Sequence, residues 1–332
     1  MPRITFIFAD DERITCEGPP DEPILQAAKK AGIPLASDCE MGDCQTCKAQ
    51  LKSGKVEIDE LAFVTLEDDE IEQGAVLTCV SMAQEDVEIE LPYLRSGLIP
   101  ERTVSLTVTA VERLSPTTVK LCGSLPQNTP FRFHPGQYVN IKIPGGDTFR
   151  SYSMASDPAL PEALEFHIRL LPDGQMSNLV RANGLAGARL EIAGPKGVFY
   201  LREGDQPVLM IAGGTGLAPM VAMLRAMKGQ LRRAVLCFGV SRADDLYYLQ
   251  ELEVLRESLP DFSLRLAVME PGEGWTGHTG FVTDLVRAED VDGNTQVYLC
   301  GPPPMVTAAR KLVTGYGAQE GAVFAEEFTP AT

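Results

Sequence analysis

Apolar and polar residues alternate over 3–8 and again over 13–16, on either side of the acidic turn Asp10-Asp11-Glu12, a pattern that predicts a β-hairpin. The run from Ile24 to Ala31 has helical spacing and is closed by Gly32 and Pro34. Strand-like patterns return at 49–54 and 87–91, and 92–102 reads as a connector. Between 103 and 203, alternating runs at 104–111, 118–123, 138–143, 164–170 and 189–192 are punctuated by Gly and Pro, which predicts a small antiparallel barrel. Beyond 207 the pattern changes. Apolar runs at 208–212, 234–240, 264–269, 297–300 and 323–325 alternate with helical stretches near 219–228, 245–258, 281–287 and 303–316. That βαβ order predicts a parallel sheet with helices on both faces. The expected division is therefore 1–95, a linker at 96–102, a barrel at 103–203 and an α/β domain at 204–332.

Charge sharpens this division. Residues 1–95 hold 21 Asp and Glu against 8 Lys and Arg, a net of −13, whereas the whole chain carries −17. An acidic module precedes a nearly balanced body. The asymmetry argues against nucleic acid or anionic lipid as partners. It fits a solubilising surface or a docking face for a basic partner. The chain lacks eighteen consecutive apolar residues, so no membrane insertion is expected. Without a signal-peptide pattern at its start, a cytoplasmic location is expected.

Four of the eight cysteines fall in a pattern: Cys39, Cys44 and Cys47 at gaps of four and two residues, then Cys79. This matches plant-type [2Fe–2S] spacing, in which one tight loop supplies three thiolates and a distant strand end the fourth. Structural zinc sites favour two separated short pairs, which the four-residue first gap fits poorly. Gly42 would let the backbone approach the cluster, with inward N–H groups stabilising its negative charge. Loops of this type usually carry Gly after the second Cys; here that residue is Gln45. Cys16, Cys122 and Cys237 read as incidental thiols.

Two further regions suggest dinucleotide chemistry. In Arg150-Ser151-Tyr152-Ser153, the Arg offers a forked cation for a flavin phosphate. The Tyr can lie against a flavin ring, and Ser153 can donate toward the ring's reactive nitrogen. Alone, the string could be an Arg and a Tyr at a strand end. Downstream, Gly174-Gln175-Met176-Ser177 leads into a short helical stretch, a ready seat for a pyrophosphate. His167-Ile168-Arg169 lies on the strand between, with His167 read as a structural strand residue rather than a catalyst. Ala212-Gly213-Gly214-Thr215-Gly216-Leu217-Ala218-Pro219 links an apolar strand to a helix and suits a nicotinamide coenzyme, although it is not the G-x-G-x-x-G string. Cys300-Gly301-Pro302 closes a later strand, at the carboxyl edge where ligands bind in such sheets. Ser241 and Arg242, followed by Asp244 and Asp245, supply both an Arg suited to a 2′-phosphate and acids suited to a free ribose, so local chemistry leaves NADH and NADPH open.

In this order the three motif groups resemble the reductase components of bacterial multicomponent oxygenases, above all the benzoate dioxygenase type, within the ferredoxin–NADP reductase superfamily. The resemblance spans the whole chain. It implies a multidomain architecture: an α+β ferredoxin domain of β-grasp type, an antiparallel β-barrel flavin domain, and an α/β parallel-sheet nicotinamide-binding domain. It implies FAD rather than FMN, because Gly174 to Ser177 looks like the family's pyrophosphate contact and the ferredoxin stands first. It implies that Arg150, Tyr152 and Ser153 contact flavin and that Cys300 lies near the nicotinamide. Near the C-terminus, Glu326 and Phe328 look like the acidic and aromatic residues the family places beside the flavin. Ser153, Cys300 and Glu326 are accordingly the candidate catalytic residues. The implied activity carries electrons from NADH through FAD to the cluster, and on to a terminal oxygenase of the aromatic ring-hydroxylating class. A reductase of a di-iron monooxygenase or of a deoxysugar system is the alternative reading within the same class. A non-enzymatic iron–sulfur sensor would not need the dinucleotide sites. A monomer is expected.

Overall fold

The structure is a computed structural model, described here for all residues except 44, 60–65, 67 and 329–332. By Cα proximity the chain divides into one unit of Met1–Pro100 with Lys196–Val198, and a second of Glu101–Pro195 with Phe199–Thr332.

In the first unit, β1 (Arg3–Ile7) and β2 (Arg13–Glu17) form the expected antiparallel hairpin. Its alternation buries Ile4 and Phe6 against α1 (Ile24–Lys30). β3 (Lys48–Ser53) and β4 (Val56–Ile58) follow, then α2 (Asp68–Glu72), β5 (Ala75–Leu77), β6 (Ser81–Ala83) and β7 (Val87–Glu90). The main sheet has the order β2-β1-β7-β3-β5, with β1 and β7 parallel, while β4 and β6 pair separately. The helix crossing a mixed sheet is the expected β-grasp arrangement. The short strands β4, β5 and β6 carry too little alternation to be read from sequence.

The second unit opens with β8 (Arg102–Ser115), β9 (Thr118–Ser124), β10 (Tyr138–Lys142), β11 (Phe149–Ser153), β12 (Ala163–Arg169), α3 (Gln175–Arg181) and β13 (Arg189–Lys196). Their order is β11-β10-β13-β8-β9-β12, and a bridge from Met154 to Phe166 brings the two edges together. Leu164, Phe166 and Ile168 point into the barrel core. Glu165, His167 and Arg169 therefore occupy the other face of β12, because side chains alternate along a strand.

The remaining sheet is wholly parallel: β14 (Val208–Gly213), β15 (Ala234–Arg242), β16 (Phe262–Glu270), β17 (His278–Thr279), β18 (Gln296–Gly301) and β19 (Val323–Glu327), in the order β17-β16-β15-β14-β18-β19. α4 (Leu217–Ala226) and α5 (Leu249–Glu257) include the apolar side chains covering one face, and α6 (Pro303–Gly315) covers the other. The helix expected at 281–287 is instead a short 3-10 turn, Val282–Leu285. Gly280 before it has φ +144°, the Asp284 carboxylate accepts the Phe281 N–H at 2.8 Å, and Val286 already has extended dihedrals. The local bond and the β-branched residues favour a single turn over a continuing helix. Val282 and Val286 still pack beneath the sheet. The order of strand addition reverses at β14, with β15 to β17 added on one side and β18 and β19 on the other, so the crevice for a ligand is expected between the carboxyl ends of β14 and β18.

Candidate functional site

The cysteine loop begins after α1. The N–H groups of Met41 and Asp43 both donate to Cys39 Sγ at 3.4 Å. Cys47 and Cys79 are buried, with their sulfurs 3.2 Å apart. The hydrogen bond from Cys47 draws the Cys79 thiol below its usual value, outweighing burial, with further help from the Gly42 backbone. Thiol sulfurs this close, with N–H donors aimed at them, fit an iron–sulfur cluster. Cys44 lies outside the described residues. Gln45 has φ +54°, which explains why Gly is usual here: the position requires left-handed backbone, and a side chain pays a steric cost there.

The flavin string lies on β11. Arg150 and Tyr152 are half-buried on one side of it. Burial pushes the Tyr152 phenol up to about 12 against the pull of Arg150, so it stays protonated. Ser151 faces the other way and donates to Asn140 Oδ1 at 2.8 Å. Ser153 is buried, and its Oγ donates to Glu326 Oε2 at 3.0 Å. Glu326 in turn is the register partner of Cys300 across β18 and β19. Residues 153, 300 and 326, far apart in sequence, thus converge.

The turn into α3 is built from its own residues. Ser177 Oγ accepts the Leu171 N–H at 2.9 Å, and Arg181 donates to the carbonyls of Leu171 and Pro172 at 2.7 and 2.9 Å. A Cβ on Gly174 would lie 2.8 Å from Ser177 Oγ, so glycine is required for this closure. Ile168 and Met176 turn their side chains into the barrel core, leaving only their backbone for a cofactor. Arg169 and Gln175 are more open. An open groove lined by Ile143, Pro144, Gln175, Asn178 and Leu179 runs beside the turn, which suits the dinucleotide portion of FAD. His167 does not face it: its fully buried ring meets Glu165 and Tyr247.

At the crevice of the parallel sheet, Gly213 ends β14, a 3-10 turn spans Gly214–Gly216, and α4 starts without a side-chain cap, with Pro219 in its first turn. Gly214 has φ +55°. A Cβ on Gly216 would overlap the Cys300 carbonyl, so this glycine serves close packing between the β14 loop and β18. Gly301 and Pro302 complete that rim, and Gly301 accepts the Phe328 N–H at 2.9 Å. Cys300 is enclosed. Burial, reinforced by the charge of Glu326, raises its thiol well above the usual value, so it remains neutral. Ser241 and Arg242 are exposed at the end of β15, with Arg242 Nε 3.3 Å from Asp245 Oδ2. Uncapped N–H groups and glycine at the crevice fit a pyrophosphate-bearing coenzyme.

Sequence reading missed a buried polar group. Glu165 accepts from Tyr248 at 2.6 Å and from Arg225 at 3.0 Å, and faces His167 Nε2 at 3.1 Å. Burial pushes the Glu165 carboxyl up, but these partners outweigh it and hold it at about 2. Burial lowers His167, against the opposing effect of Glu165. The available signal was the apolar-polar alternation of Leu164 to Arg169.

The family described as 2Fe-2S iron-sulfur cluster binding domain matches residues 7–84, the oxidoreductase FAD-binding domain residues 105–200, and the oxidoreductase NAD-binding domain residues 210–311. The propane 2-monooxygenase reductase component of Mycolicibacterium goodii is 36% identical over 93% of this chain and 92% of its own length. The toluate 1,2-dioxygenase electron transfer component of Pseudomonas putida is 36% identical over 92% of each. Among solved structures, the Amycolatopsis cytochrome P450 reductase GcoB superposes with a TM-score of 0.75 at 31% identity, over 99% of this chain and 100% of that one. The ferredoxin reductase of carbazole 1,9a-dioxygenase gives a TM-score of 0.70 at 26% identity, over 98% of both chains. With these three family matches in succession along it, and relatives above 30% identity over more than nine-tenths of their length, the chain belongs to the oxygenase reductase, or electron-transfer, components of the ferredoxin–NADP reductase family, as an NADH-dependent oxidoreductase that uses FAD and a [2Fe–2S] cluster.

Proposed function

We propose that this reductase delivers electrons from NADH to the terminal component of an aromatic ring-hydroxylating dioxygenase. The observation that carries the reading is the convergence of Ser153, Glu326 and Cys300 between the flavin strand β11 and the coenzyme crevice. When bound, FAD accepts two electrons as hydride and releases them singly, which a [2Fe–2S] cluster requires. The residues supply position and electrostatics. Arg150 would neutralise a flavin phosphate, and Tyr152 would offer the face of its neutral phenol ring. Ser153 presents a hydroxyl whose direction is set by Glu326. Gly213 to Gly216, with Gly301 and Pro302, receives the coenzyme at the sheet crevice. Cys39, Cys44, Cys47 and Cys79 hold the cluster.

The terminal partner is the finer question, since monooxygenase and dioxygenase components stand at the same identity among the relatives. The acidic ferredoxin module favours a basic partner face. Asp38 is half-buried and paired with Lys196 at 3.1 Å, and Glu40 is paired with Lys29, so Asp43 is the most available of the three acids in the cysteine loop. The test is reconstitution of the loaded reductase with a purified aromatic dioxygenase at increasing ionic strength. NADH-driven product formation that falls with salt, while ferricyanide reduction changes less, is expected. Coupling to a monooxygenase hydroxylase but not to the dioxygenase would overturn the partner assignment. A higher kcat/KM for NADPH would overturn the coenzyme preference.

A further inference from the structure

The polar group on the outer face of β12 is built to reach the coenzyme loop. Arg225 on α4 donates through Nη1 to Glu165 Oε2 at 3.0 Å and to the Ala155 carbonyl at 2.6 Å, and through Nη2 to the Tyr248 hydroxyl at 2.8 Å. Tyr248 donates to Glu165 Oε1, which also faces His167 Nε2. An ionised carboxylate only accepts, so the imidazole proton belongs on Nε2 and Nδ1 is left as an acceptor. The Tyr247 hydroxyl lies 3.3 Å from that Nδ1 and 3.4 Å from the Gly214 carbonyl. Tyr247 is buried and packs edge-on against Phe238. One phenolic proton is thus shared between a barrel histidine and a peptide of the loop after β14. That peptide has left-handed backbone, and a Cβ on it would sit 3.9 Å from Arg169 Nη1.

We propose that Tyr247 is a positioning residue for the nicotinamide coenzyme: its hydroxyl fixes the orientation of the Gly214 peptide, and His167, oriented by Glu165, fixes the tyrosine. The proposal rests on the reading that Gly213 to Gly216 receives the coenzyme. The Tyr247 hydroxyl meets the Gly214 carbonyl at 3.4 Å. It acts through the peptide, so its loss belongs in coenzyme affinity rather than in the chemical step. Both contacts are long for an O–H donor, and a net neutral hydrogen bond is worth about 0.5–1.5 kcal/mol, which converts to roughly a 2- to 10-fold change in affinity.

The experiment compares full-length, cofactor-loaded Tyr247→Phe with wild type in NADH-dependent ferricyanide reduction. The expected result is a KM for NADH raised about 2- to 10-fold, with kcat, flavin content and flavin midpoint potential unchanged. Tyr298→Phe is the control. It also removes a buried hydroxyl, one that donates to Gln296 and accepts from the Arg202 N–H, and should lower thermal stability without moving KM. His167→Gln leaves the phenolic proton to Gly214 and should raise KM less than Tyr247→Phe. Gly214→Ala tests the underlying reading, because strain at φ +55° should raise KM if the loop receives coenzyme. If Gly214→Ala leaves KM unchanged, the loop assignment falls. If it raises KM while Tyr247→Phe does not, or His167→Gln exceeds Tyr247→Phe, the role given to Tyr247 is overturned.

Discussion

Replacing Glu165 by Gln should cost the second unit about 3 kcal/mol of stability at neutral pH. Burial alone would raise this carboxyl, yet its partners bring it from 4.5 to about 2. At ~1.4 kcal/mol per pH unit, that difference corresponds to roughly 3 kcal/mol. Independently, removing one partner of a buried ion pair costs about 3–5 kcal/mol. The substitution strands Arg225, whose side chain is 18% exposed, with only the Ala155 carbonyl and the Tyr248 hydroxyl. At about 2–4 °C per kcal/mol, melting should fall by roughly 6–12 °C. The sign with pH follows from the lowered carboxyl: its contribution is present above 4.5 and is lost as pH falls toward 2. At pH ~3.5 the gap between wild type and variant should narrow by about 1.4 kcal/mol. His167 adds acid sensitivity of its own. Its folded form is held neutral by burial, so stability declines as pH drops below the ordinary 6.5. Urea unfolding of the FAD-loaded protein by circular dichroism at pH 7.5, 5.5 and 3.5 measures these effects. A loss under about 1 kcal/mol at pH 7.5, or a gap that widens at pH 3.5, would refute the claim that Glu165 is ionised and paired.

Three further outcomes are expected. Gln45→Gly relieves a left-handed residue and should stabilise the cysteine loop by about 0.5–1 kcal/mol, read as a higher temperature of cluster bleaching; an unchanged or lower temperature counts against the strain argument. Cys79→Ser should remove the cluster's visible bands while leaving flavin reduction by NADH intact, because a hydroxyl replaces a soft thiolate poorly on iron; rapid reduction of cytochrome c by that variant would mean electrons leave from the flavin. Cys300→Ala should keep both spectra and slow flavin reduction in stopped flow, and wild-type speed would remove Cys300 from the coenzyme site.

The parts legible in the sequence are those encoded locally. Cys39 to Cys47, and Gly213 to Gly216, each place their chemistry within a single loop, where spacing survives as a string. The hairpin over 3–17 and the apolar runs of the parallel sheet were equally readable, because burial on one face or two leaves a period. What escaped is chemistry assembled across distance. Glu165 meets Arg225 across 60 residues and Tyr248 across 83, and no pattern joins them. Gly216 is instructive in the other direction. Its sequence context suggested approach to a phosphate, but the carbonyl of Cys300 already occupies the space a Cβ would need. The stretch 281–287 was misread because its apolar spacing serves a 3-10 turn that covers the sheet without a helix.

The same contrast explains why a polar group, rather than more apolar packing, lies between β12 and α4. An apolar contact would tolerate small rotations of the helix, because dispersion and burial depend weakly on direction. Glu165 is instead approached from three directions, by Arg225, Tyr248 and His167. Each hydrogen bond weakens steeply away from its preferred angle, and in a buried site an unmade bond is costly. A slipped arrangement would leave both a carboxylate and a guanidinium buried without their partners. The group therefore favours one placement of α4, which begins at Leu217, directly after Gly216 at the end of the loop proposed to receive the coenzyme. Hydride transfer depends on sub-ångström placement of its two partners. A directional anchor beside the proposed coenzyme loop is a physical reason for the fold to bury charge there.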